Sequence, residues 1–183
     1  MSASAGPARR VVLEVHREAG PPRLTVIVRD GRHVADVEVA PDHGSGSIRH
    51  EDGWSWRIEH PPGSGEWWLA DGDRPVATAA RHAPVGERFA LELAGGGRFV
   101  VVPTGRWWTR RWSVHDDEER VVLEVRQRPL TRPVHDLVLR SGDLPPELPW
   151  VVAWVLAERL SRRQATTRRS RWGISTAWGG EGR

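Results

Sequence analysis

The longest apolar run in this chain, Leu148 to Ala157, constrains its fold more than any other feature. Within it, Trp150-Val151-Val152-Ala153-Trp154-Val155-Leu156-Ala157 is apolar without interruption. Coiled as a helix, such a segment is hydrophobic on every face rather than along one stripe, so it must be buried all round. The preceding Leu144-Pro145-Pro146-Glu147-Leu148-Pro149 breaks any sheet, and Pro149 suits the first helical position. From Trp150 to Leu160 a helix would span about 16 Å at ~1.5 Å per residue. A strand of five or six residues spans about 17–20 Å. The helix therefore has the length to thread a small barrel, and it is far short of the ~20 residues that cross a bilayer.

The rest of the chain supplies strands. Candidates are 10–15, 24–28, 34–39, 48–50, 54–58, 67–70, 76–80, 89–93, 99–102, 112–114, 121–125 and 134–139, rich in Val, Ile, Leu and Trp. Tight turns separate them at Asp30-Gly31, Asp71-Gly72 and Gly95-Gly96-Gly97. Trp54-Ser55-Trp56-Arg57-Ile58 alternates strictly, which places its two Trp on one face. About a dozen short strands with tight turns predict an all-β antiparallel sheet, sandwich or barrel.

The chain also repeats itself. At an offset of 45, Trp67 aligns with Trp112, Leu69 with Val114, Asp71 with Asp116, Val76 with Val121, Arg81 with Arg126 and Pro84 with Pro129. Residues 26–39 form a looser copy around Asp30-Gly31, and the hexapeptide Arg10 to Val15 recurs as Arg120 to Val125. These matches predict a repeated hairpin unit.

Composition narrows the chemistry. The chain has 183 residues, the size of one domain, and eleven Trp supply nearly all its aromatic packing. There is no Cys, which excludes disulfides, thiolate metal sites, Cys nucleophiles and palmitoylation. Every basic side chain other than His is Arg, as expected of a GC-rich, bacterial genome. Residues 1–158 carry 20 Arg and 23 acids, whereas residues 159–183 carry seven Arg and one acid. A near-neutral body with a basic tail points to an anionic partner, nucleic acid or a membrane surface. Met1 to Arg10 lacks the apolar core of a signal peptide, so a cytoplasmic protein is the expectation.

The hairpin Trp67-Trp68-Leu69-Ala70-Asp71-Gly72-Asp73-Arg74-Pro75-Val76-Ala77, its second copy at Trp112 to Val122, and the order of about twelve strands followed by a hydrophobic helix together resemble the tubby C-terminal-like superfamily. That group includes LURP-one-related proteins and phospholipid scramblases. The resemblance covers residues 8–163 and implies a closed antiparallel barrel around a central helix, about residues 149–163. Residues 1–7 would be a disordered N-terminus and 164–183 a basic tail. Tubby-like members bind phosphoinositides. The chain departs from scramblases in having no Cys-rich segment, no terminal transmembrane helix and no acidic calcium loop, which argues against lipid scrambling.

Candidate sites follow from charge and aromatic placement. Arg106, Trp107, Trp108, Arg110 and Arg111 interleave cation and indole, a pattern suited to a membrane interface or to stacking on bases. Arg159, Arg162, Arg163, Arg168, Arg169 and Arg171 form an acid-free stretch, and Trp172, Ile174 and Trp178 follow. The eight His show no metal-ligand spacing, so His43, His50 and His60 read as solvated loop residues. Asp116-Asp117-Glu118-Glu119 lacks the Gly of a calcium loop and reads as an exposed turn. Gly95-Gly96-Gly97 has no following Lys and reads as a hairpin, and no nucleophile elbow is present. The expectation is a monomeric, non-enzymatic domain without metal or cofactor that binds anionic phospholipid headgroups at the inner face of a membrane. The alternative is an intracellular scaffold whose tail engages a protein or nucleic-acid partner. A small-ligand carrier fits less well, because a barrel filled by its own helix leaves little room.

Overall fold

The computed structural model describes residues 12–17, 23–40, 45–82, 88–104, 111–127, 135–141 and 143–159. These form twelve strands: β1 (Val12–Arg17), β2 (Arg23–Arg29), β3 (Arg32–Val39), β4 (Ser45–His50), β5 (Ser55–Glu59), β6 (Glu66–Asp71), β7 (Arg74–Arg81), β8 (Phe89–Leu93), β9 (Arg98–Pro103), β10 (Arg111–His115), β11 (Val121–Gln127) and β12 (His135–Leu139). One helix, α1, is described over residues 148–159. Each expected strand is present, and the weak candidate at 48–50 extends into β4.

All the strands belong to one antiparallel sheet in which chain neighbours pair with each other. β1 pairs with β2, Leu13 opposite Arg29, and with β12, Val12 opposite Val138. Period-two alternation sends Ile48, Trp56, Ile58, Trp67, Leu69, Leu91 and Val101 inward to full or near burial. α1 packs on that apolar face. Its residues 150–159 are all buried, and so is Leu148. Rings on well-separated strands surround it: Trp154 lies 5.6 Å from Trp67 on β6, while Arg159 lies 5.3 Å from the Trp112 ring on β10. A helix apolar all round is thus satisfied by a sheet curled about it. The Trp150 and Val151 N–H groups both donate to the Glu147 carbonyl, and Pro149, which has no N–H, costs nothing in this first turn.

The sheet is a threefold repeat of a four-stranded unit. The first unit is β2 to β5, the second β6 to β9, and the third β10 to β12 completed by β1. The register slips once in the leading hairpin of each, leaving Val34, Val76 and Val122 as the bulged residues. In every unit the bulged Val carbonyl accepts a 2.9 Å hydrogen bond from the residue just past the third strand: Glu51, Ala94 and Arg140. The first two units also share a turn. His50 N–H donates to the Trp54 carbonyl and Leu93 N–H to that of Gly97, with Gly53 and Gly96 bonded back to His50 and Leu93. In the third unit the chain leaves this position to enter α1, and β1 supplies the missing strand.

This geometry amends the sequence alignment. Leu69 pairs with Ala77 and Val114 with Leu123, so the offset is 45 on the first strand but 46 on the second. The turn of residues 116–120 absorbs the extra residue. The described part of the first hexapeptide, residues 12–15, falls on β1, and residues 121–125 of the second fall on β11; these are not equivalent strands but the two neighbours of β12.

Candidate functional site

Antiparallel order divides the connections between two ends of the sheet. The turns at 30–31, 51–54, 72–73, 94–97 and 116–120 share one end, where α1 also begins. The connections after β1, β3, β5, β7, β9 and β11 share the other, where α1 finishes. At the turn end Asp30 and Gly31 both have positive φ, 51° and 77°, the requirement of a type I′ hairpin.

The basic candidates belong to the helix-exit end. Of the Arg–Trp segment, Arg111 is described: it is exposed at the start of β10, opposite Arg126. Arg106, Trp107, Trp108 and Arg110 lie outside the described residues, in the connection between β9 and β10. Of the second stretch, only Arg159 is described, and it differs from the expectation of an open tail residue. It is 8% exposed, and its guanidinium sits over the Trp112 ring. The cation is held by an indole face because α1 carries it into the sheet. Arg162, Arg163, Arg168, Arg169 and Arg171 lie outside the described residues, as do Trp172, Ile174 and Trp178. The contact between Arg159 and Trp112 nevertheless fixes where both basic stretches depart. The β9–β10 connection ends two residues before Trp112, and the tail begins one residue after Arg159. Arg81, Arg88 and Arg111 stand exposed at this end without an ion pair among the described residues.

The outer wall is neutralised locally. Arg49 pairs with Glu38 at 3.3 Å, Arg57 with Glu59 at 3.1 Å and Arg98 with Glu92 at 3.0 Å. Glu124 accepts from both Arg126 and Arg140. The Arg140 hydrogen bond, with help from Arg126, holds the Glu124 carboxyl below the ordinary carboxylate range. Trp68 is the exception on this wall, 51% exposed on β6.

The turn end holds a cavity of about 410 Å³, lined by Trp54, Trp56 and Trp150 with Asp71, Arg74 and Glu147 among the polar groups. His50 stacks on Trp54 with ring centroids 4.7 Å apart and planes at 13°. Trp150 meets both rings edge-on, 5.1 Å from His50 and 5.4 Å from Trp54. Trp56 lies 4.9 Å from Trp54. Sequence reasoning placed Trp54 and Trp56 on one face but could not bring Trp150 to them, since α1 returns there from nearly one hundred residues away. His50 also departs from the solvated-loop expectation, because it closes β4 against two indoles, and His60 similarly packs 4.7 Å from Trp67. His43 lies outside the described residues.

The remaining motifs are structural. Gly95-Gly96-Gly97 is the β8–β9 turn, with Gly96 and Gly97 at φ 97° and 102°. The acidic run is a turn as expected, but Asp116 is tucked in, its side chain only 9% exposed. Its carboxylate accepts from the Glu118 and Arg120 N–H groups and from the Arg120 guanidinium. Burial raises the Asp116 pKa, but the Arg120 and Glu118 contacts outweigh it, and the net shift is downward. Among the described residues no group of His, Asp and Glu is placed to hold a metal, and no helix is long and apolar enough to cross a membrane. No family model, curated protein or solved structure matches this chain.

Proposed function

We propose that this chain is a non-catalytic, tubby-like and LURP-one-related binding domain that docks on anionic phospholipid headgroups through its helix-exit end. On this reading the sheet is a closed barrel. The pairing of β1 with both β2 and β12 supports closure, and the burial of α1 on every face supports a helix along the axis. A core filled in this way leaves binding to the surface.

The observation that carries the proposal is the seating of Arg159 on Trp112, which tethers both Arg-rich stretches to one end. Residues 160–183 hold six Arg and one Glu, and the wall Arg that could compete for anions are mostly paired with acids. Near an anionic leaflet each such Arg contributes about 1 kcal/mol, so several together suffice for reversible docking. Exposed Trp68 adds an indole of the kind favoured at headgroup depth.

Vesicle co-sedimentation tests the proposal. The full chain should be retained by vesicles containing phosphatidylglycerol, and much less by phosphatidylethanolamine alone. Raising NaCl from about 50 to 500 mM should release it as the Debye length shrinks. Changing Arg162, Arg163, Arg168, Arg169 and Arg171 together to Gln should abolish retention while leaving the unfolding transition in place. Retention that survives those substitutions would refute the basic stretch as the docking element. Absence of any retention would instead favour the scaffold reading, in which the same charges meet a protein or nucleic acid.

A further inference from the structure

The cavity at the turn end has chemistry opposite to that of the helix-exit end. Three indoles, Trp54, Trp56 and Trp150, wall it. Two carboxylates, Asp71 and Glu147, stand on it against one guanidinium, Arg74, and none of the three has an ion-pair partner among the described residues. Their sum is one negative charge beside aromatic faces. Indole is the strongest of the aromatic rings at attracting a cation over its face, and a weakly hydrated cation gives up little on leaving water. The first turn of α1 favours negative charge, and Glu147 already supplies it there.

The cavity also has a specific origin. It lies between the first and second four-stranded units and opens because the two equivalent turns differ. Where the first unit has Trp54, the second has Gly97, and where the first has Trp56, the second has Phe99. The second turn is a run of small residues, and nothing lies within 4 Å of a Cβ built on Gly95. The large rings of one unit therefore border space left by the small residues of the other, with Trp150 of α1 also lining it.

We infer that this cavity binds a quaternary ammonium group, with the indoles of Trp54, Trp56 and Trp150 lining the methylated nitrogen and Glu147 and Asp71 supplying the counter-charge. A choline-sized cation fits a space of about 410 Å³ with room to spare, so the occupant is either a free cation of this class or a choline headgroup presented by a lipid. The inference does not depend on the membrane reading, because the two regions lie at opposite ends of α1.

Isothermal titration calorimetry of the full chain with choline chloride tests it, with 3,3-dimethylbutanol as the neutral isostere and NaCl as the ionic control. Choline should bind with a dissociation constant in the millimolar range, and the isostere should bind about threefold to thirtyfold more weakly, the range a cation–π contribution allows. Glu147→Gln should weaken choline by a similar factor. Gly95→Phe should abolish binding by filling the space without touching an indole, at a position where the backbone tolerates a side chain; its unfolding transition should match the parent. Trp54→Phe should retain weakened binding. Equal affinity for choline and its isostere, unchanged choline affinity in Gly95→Phe, or no heat at 50 mM choline (about ten times the expected constant) would overturn the inference. Phosphatidylcholine vesicles separate the two sources. Retention lost in Gly95→Phe identifies a lipid headgroup, and choline binding without vesicle retention identifies a free cation.

Discussion

The two ends of α1 meet different chemistry although one helix serves both. At its start, tight turns of related geometry surround an indole-walled cavity with one net negative charge. At its finish, Arg81, Arg88 and Arg111 stand exposed, while Arg159 is withdrawn from solvent and laid on Trp112. The wall between them is close to neutral because its Arg and Glu side chains pair across neighbouring strands. The contrast teaches that one apolar helix packed on the sheet can present its two ends to different chemistry.

The largest test of that picture removes the shared axis. Trp154 is 1% exposed and packs on Trp67 halfway along α1. Trp154→Ala should lower the unfolding free energy by about 3–5 kcal/mol, as large-to-small changes of buried aromatics do. Urea denaturation should show one transition by circular dichroism and fluorescence alike. Native-state hydrogen exchange should show the loss in β4 and β10 together. Protection that falls at one end only would mean that the ends are held separately.

A smaller pair of substitutions sharpens the same comparison. A Cβ on Gly46 would lie 2.5 Å from the Glu38 carbonyl oxygen and 3.5 Å from Trp154 Nε1. Backbone cannot yield there as a flexible side chain would, so Gly46→Ala should cost about 1–3 kcal/mol. Gly95→Ala, in the open turn, should be neutral or stabilising by up to about 1 kcal/mol through the unfolded chain. The melting temperature should therefore fall in Gly46→Ala and hold or rise in Gly95→Ala, and a parallel fall would show that the turn end is packed more tightly than its cavity implies.

Much of this was legible in the sequence. Strand positions followed from alternation, and the need to bury α1 followed from its uniform apolarity. Three things were not. The hairpin repeat itself was read from residues 26–39, 67–80 and 112–125, but its extension to four strands was not: it is carried by a backbone bond from each bulged Val, and a bulge leaves no mark in composition, so Val34, Val76 and Val122 look like ordinary strand residues. The twin hexapeptide suggested an equivalence that pairing denies, because both copies suit any strand with one buried face. The indole cavity depends on Trp54, Asp71 and Trp150 meeting across three elements, and no local pattern encodes such a meeting.

The smallest expected effect lies on the wall that separates the ends. Glu124 accepts hydrogen bonds from Arg126 and Arg140, and these hold its carboxyl below the ordinary value of 4.5. A group with a depressed pKa in the folded state stabilises fully above its unfolded pKa and loses that contribution as pH falls through the folded value. The stabilisation from Glu124 should therefore be complete at pH 6 and should fade below about pH 4.5. All three side chains are partly exposed, so the pair energy should be about 0.2–1 kcal/mol. Glu124→Gln removes the titrating group. Its stability should lie below the parent at pH 6 by that amount, and the gap should close as the pH approaches 3 and Glu124 of the parent takes up its proton. Urea midpoints measured at both pH values decide the matter. A gap that stays constant with pH would place the effect of Glu124 in packing rather than charge. The neutrality of the wall would then rest on exposed pairs that contribute nothing to the stability of the sheet.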